Sequence, residues 1–144
     1  MLKIEITRAR QQAAATEAVF ANPIPILFPT EPSPPVARPL PLPAYTGTFN
    51  HPAYHNVTLN SYNSTSSATS QLHSSPFVAL GMQIHFEVEH VSGQWWLGRM
   101  FVDDHDPTAV FSVLRFQFET SGEVVTRLGI EMEVGLYIWY NRII

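Results

Sequence analysis

A serine or threonine hydroxyl becomes a nucleophile only when a base stands within hydrogen-bond reach, so hydrolytic chemistry should appear as paired residue types at set spacing. The chain carries one lysine, Lys3, and no serine stands three residues before it, so a Ser-x-x-Lys pair cannot form. Serine, histidine and aspartate are all present, yet no Gly-x-Ser-x-Gly elbow frames any serine. Ser92 and Ser121 each precede glycine and read as turn residues. No catalytic residue is assigned on these grounds, and the chain is read as a non-enzyme.

Metal chemistry has two candidate clusters. Asp103, Asp104 and Asp106 could offer oxygen ligands to calcium, but the loop lacks the glycine of an EF-hand and reads as a polar hairpin tip. His85, Glu87 and Glu89 recur at spacing two on one strand face, where zinc would still need a further ligand. A solvated strand face is the expectation there. There is no cysteine, which excludes disulfides and thiolate metal sites. No metal and no cofactor are expected. Asn56-Val57-Thr58 and Asn63-Ser64-Thr65 are acceptor triplets for glycosylation, so Asn56 and Asn63 are candidate modification sites.

The elements that would position these residues fall into three regions. Residues 1–21 are rich in Ala, Glu, Gln and Arg and read as a helix over 2–20. Residues 22–43 hold nine prolines, which argues against helix and sheet interior and for an extended strap. Its apolar residues suit a surface, either the domain's own or a partner's, and Ile24, Leu27 and Phe28 are the candidate partner contacts.

From residue 44 to 144 period-two patterning takes over. Ile84, Phe86 and Val88 alternate with His85, Glu87 and Glu89, and Leu114, Phe116 and Phe118 with Arg115, Gln117 and Glu119. The stretch Gln94 to Val102 is apolar on both faces and should be covered on both. Short turns imply antiparallel hairpins. Strands at 45–49, 55–61, 77–81, 83–90, 94–102, 110–119, 123–132 and 136–141 give eight, enough to close an up-and-down barrel. Residues 60–76, rich in Ser, Thr and Asn, read as a loop. The fold class is therefore mainly β, an eight-stranded antiparallel barrel. Such a barrel is filled by side chains or holds one small ligand. Phe86, Trp95, Leu114, Phe116, Leu128, Ile138 and Tyr140 are the candidate cavity-lining residues.

Tyr45-Thr46-Gly47-Thr48-Phe49, His51-Pro52-Ala53-Tyr54, Gly93-Gln94-Trp95-Trp96 and the closing Ile138-Trp139-Tyr140 carry a resemblance. The segment is similar to the C-terminal domain of serine β-lactamase-like, penicillin-binding-protein-like hydrolases. The preceding helix and proline strap look like the joint to their catalytic domain. The resemblance implies a lipocalin-like barrel that packs against a hydrolase domain, borders its active site or aids assembly. Tyr54-His55-Asn56 matches that family's Tyr-x-Asn string, but without the nucleophile it reads as a turn and strand start. A free-standing carrier of a small apolar ligand is the rival expectation.

A net charge of −4 with eight scattered basic residues gives no footprint for nucleic acid or anionic lipid. No apolar run reaches the roughly 18 residues of a membrane span. Glu5 interrupts the place a secretory leader would fill, so no signal peptide is expected and no compartment is assigned.

Overall fold

The computed structural model describes residues 22–30, 36–61, 71–79, 81–103, 110–133 and 135–144. Residues 1–30 and 31–144 form two compact units. The helix expected over 2–20 lies outside the described residues. In the first unit, Pro23–Leu27 forms a one-turn helix, α1, closed by the Phe28 amide donating to Ile24 O at 2.8 Å. This corrects the expectation that prolines forbid helix throughout 22–43. Pro23 and Pro25 both fall in the first turn, where amide hydrogens have no intrahelical partner to lose.

The second unit contains the barrel. Its strands are β1 Gly47–His51, β2 His55–Ser61, β3 Leu72–Ser74, β4 Phe77–Ala79, β5 Met82–Ser92, β6 Trp95–Val102, β7 Ser112–Ser121, β8 Val124–Glu133 and β9 Leu136–Arg142. All pairings are antiparallel, and sequence neighbours pair in turn from β5 through β9. The ring closes twice: β9 meets β1 at Phe49↔Arg142 and Asn50↔Asn141, and β3 meets β5 at Leu72↔Val88 and His73↔Glu87. β4 pairs with the start of β5, at Phe77↔Ile84 through Ala79↔Met82. Thus β3 and β4 share one edge of β5 and serve as a single interrupted stave, which makes a closed eight-stave barrel. The loop expected over 60–76 is corrected in part, because Leu72–Ser74 inside it completes the ring. The β5–β6 and β7–β8 hairpins turn on Gly93 (φ 56°) and Gly122 (φ 62°), left-handed positions that favour glycine.

Inward residues follow the period of two and form one core. Phe49, Phe86, Trp96, Phe116, Phe118 and Tyr140 lie in it fully buried. Tyr45 enters from the short 3-10 turn Leu42–Tyr45 and meets Trp96 and Phe118 at ring-centre distances of 5.1 and 5.0 Å. Trp96 and Phe118 meet edge to face at 5.6 Å, as do Phe86 and Phe116 at 5.1 Å. Gly98 makes room for this: a Cβ there would collide with the Phe116 ring. The last part of the strap is tied to the barrel. Ser92 Oγ accepts from the Val36 amide at 2.9 Å, and the Gly93 amide donates to Val36 O at 2.9 Å. Leu40, Leu42 and Ala44 pack on the core.

Along β6, Leu97 and Phe101 are buried although neither belongs to that core, so both faces are covered as the sequence suggested. Among the described residues no helix is long and apolar enough to cross a membrane.

Candidate functional site

β5 has an inner face of Ile84, Phe86 and Val88 and an outer face of His85, Glu87 and Glu89. Its partner stave breaks between Ser74 and Phe77, where Ser75 and Pro76 leave the ladder. There the Phe86 amide finds no strand carbonyl and donates instead to Ser74 Oγ at 2.7 Å. The break opens a cleft of about 260 Å³ lined by His73, Ser74, Pro76, His85, Glu87 and Asp103.

Inside the cleft His85 Nδ1 donates to Asp103 Oδ1 at 2.6 Å. The His85 ring stacks on Phe101, centres 4.9 Å apart and planes 7° from parallel. The Asp103 amide donates to Gln83 O at 2.8 Å, which pins the carboxylate at the end of β6. Asp103 Oδ2 is buried and has no hydrogen-bond partner. Glu87 is 6% exposed. Burial, reinforced by the neighbouring His85, holds the His73 imidazole below its ordinary pKa, and Glu87 opposes that only in part. His73 is therefore a neutral hydrogen-bonding group near pH 7.

The cleft holds a serine, a histidine and an aspartate, but not a nucleophile in waiting. Ser74 is buried, and its oxygen is committed to the Phe86 amide. An attacking hydroxyl must instead face both a base and the substrate. Of the zinc trio, Glu89 is drawn away to Arg99, 2.8 Å from its Nη1. Asp104 and Asp106 of the calcium trio lie outside the described residues. Among the described residues no group of three or more His, Asp or Glu gathers closely enough to hold a metal ion.

The candidate cavity-lining residues divide. Phe86, Phe116, Leu128 and Tyr140 are fully buried in the core, and Leu114 and Ile138 pack against it. Trp95 lies on the other side of β6, where its ring meets Tyr137 at 6.2 Å. Its neighbour Trp96 is the inward residue, which corrects the assignment of Trp95 to the interior. Tyr137 in turn stacks with Trp139 at 6.0 Å, and Arg127 lies 4.5 Å over the Trp139 ring. Burial raises the pKa of the Tyr140 hydroxyl to about 12, and that hydroxyl has no hydrogen-bond partner.

Tyr54-His55-Asn56 forms the end of a turn and the start of β2. His51 Nδ1 accepts from the Ala53 and Tyr54 amides at 3.0 and 3.3 Å. Asn56 is exposed and accepts from Asn50 Nδ2 at 2.7 Å, while Asn63 lies outside the described residues. In α1, Ile24 and Leu27 are half-buried, and Phe28 just beyond it is buried. Sequence reasoning missed the cleft as a unit, because β-pairing alone brings Ser74 and Asp103 to His85.

Compared with family models, with curated proteins and with solved structures, the chain finds no match in any of the three.

Proposed function

We propose that this chain is a non-catalytic accessory domain that works through its outer surface, as a partner to a hydrolase domain of the serine β-lactamase-like kind. The aromatic filling of the barrel supports this reading. Tyr45, Trp96 and Phe118 touch one another in the interior, with Phe49 6.3 Å from Phe118. Large aromatics in that position occupy the volume a carried ligand would need, so binding is directed outward. The sequence resemblance supplies the class of partner, and the absence of a Ser-x-x-Lys pair fits a domain that leaves chemistry to that partner.

The test is calorimetric titration of the chain into a purified serine β-lactamase-like catalytic domain, with Ile24→Asp and Leu27→Asp as variants. The reading expects binding that these changes weaken. Binding untouched by them would remove the strap as the contact, and no binding would remove the partner class. Saturable uptake of a fatty acid or an apolar dye would favour a carrier instead. Turnover of an ester or β-lactam by the chain alone would overturn the non-catalytic assignment.

A further inference from the structure

The last part of the strap covers the barrel end at which the β5–β6 hairpin turns. Exposure alternates along it: Ala37, Pro39, Pro41 and Pro43 face solvent, while Arg38, Leu40, Leu42 and Ala44 are half-buried. Leu40, Leu42 and Ala44 pack on the core. The prolines have no amide to donate to the strands. Val36 is the main-chain anchor, bonded to Ser92 Oγ and to the Gly93 amide at 2.9 Å each. Arg38 adds one long bond, 3.4 Å from its Nη1 to Gln71 Oε1. A plug seated by a few apolar side chains and one anchor opens at lower free energy than the barrel itself.

Beside that anchor stands a histidine. His90 lies directly opposite the inward Trp96 and meets its ring edge to face at 5.1 Å. Its Nε2 donates to Gly93 O at 2.9 Å. Gly93 thus joins the two, with its carbonyl on His90 and its amide on Val36. Burial holds the His90 imidazole below its ordinary pKa, the bond to Gly93 O works against this, and the charge of Arg38 adds to it. No carboxylate acts on the ring to offset Arg38. Glu89, the preceding residue, is paired with Arg99, and Trp96 is uncharged. The Tyr45 phenol, also near Arg38, is kept protonated by burial. The Arg38 charge, and the part of the burial that the strap supplies, act on His90 only while the strap is seated. A proton therefore binds the unseated state more tightly.

We propose that protonation of His90 unseats residues 36–44 from this end of the barrel and exposes Leu40 and Leu42. Above about pH 6.5 the imidazole is neutral in both states and the strap stays seated. Seating weakens as pH falls below that value, because the seated state resists a proton that the unseated state accepts. The device needs no partner, so it stands or falls apart from the accessory-domain reading.

The experiment is native-state amide hydrogen exchange of the full chain, followed by NMR at about pH 7.5 and about pH 5. Protection of the Val36 and Gly93 amides, corrected for intrinsic rates, should fall about three- to tenfold at the lower pH while the amides of β6–β8 hold. His90→Gln keeps a donor for Gly93 O without a titrating ring and should abolish the fall. Arg38→Gln is the second variant should the first disturb the fold, which amide dispersion reports. It should shrink the fall and let the His90 ring titrate at higher pH, read from the ring proton shifts. Protection unchanged by pH, a loss spread equally over β6–β8, a full fall in folded His90→Gln, or an unmoved His90 titration in Arg38→Gln would overturn the proposal.

Discussion

The Tyr140 hydroxyl is buried in the core without a partner, and burial raises its pKa to about 12. An unsatisfied buried hydroxyl contributes nothing in exchange for its lost hydration. Tyr140→Phe should therefore leave stability unchanged or raise it by about 1 kcal/mol in urea unfolding. In the parent protein the folded state holds this proton longer than the unfolded state does. Stability should then fall as pH climbs from about 10 towards about 12, and Tyr140→Phe should lessen the fall. Histidines act at the other end. Burial is the main cause that lowers the pKa of both His73 and His90. Below about pH 6.5 the unfolded chain gains protons that these folded imidazoles resist, so stability drops as pH falls through that range. His73→Gln should shallow the drop in a thermal-unfolding series across pH. Neither histidine was singled out from sequence, because burial of an imidazole depends on which strands flank it.

At the level of elements, long alternating strands were legible and short or doubly apolar ones were not. The series Ile84, Phe86, Val88 and Leu114, Phe116, Phe118 place their faces as their spacing implies. In β6 the alternation is silent, since Trp95 and Trp96 are equally apolar and only the register Trp96↔Phe116 shows which points inward. β3 escaped notice because three residues give too little pattern to outweigh a Ser/Thr/Asn-rich setting. α1 escaped because proline count hid proline position. The β3–β4 break yields a direct test. Ser74→Ala removes the acceptor of the Phe86 amide in a buried place, and should cost about 1–3 kcal/mol in denaturant unfolding. Ser74→Thr, which keeps the hydroxyl oxygen, should recover part of the loss.

Across the whole molecule, Arg142 fastens the two ends of the barrel domain. Its guanidinium donates to Ala44 O at 2.7 Å, Thr46 O at 2.8 Å, Val125 O at 2.5 Å and Ile144 O at 3.0 Å, and lies 4.9 Å over the Phe49 ring. Burial lowers its pKa against this gain. Arg142→Leu leaves three segments without their common donor and should cost about 2–3 kcal/mol, measured by urea unfolding. Arg142→Lys should do little better, because a point charge cannot serve several carbonyls at fixed angles. Sequence reading gave no hint of this role, since a basic residue near a terminus is ordinary until the chain brings Ala44 beside it.

The two closures of the ring are its shortest ladders. β1–β9 and β3–β5 have two aligned residue pairs each, extended by backbone bonds from Ile143 to Thr48 and from Gln71 to Val88. Between them β1, β2 and β3 form a three-strand flap set against the long β5–β9 meander. The meander's contacts are between sequence neighbours, which lowers the entropy of forming it first. The flap must await it on one side, because its seam with β9 joins the two ends of the barrel domain, and on the other it is held by only the short β3–β5 ladder. Native-state hydrogen exchange should then show the amides of β1 and β3 opening at lower free energy than those of β6–β8, so the barrel unzips at its seams before it melts.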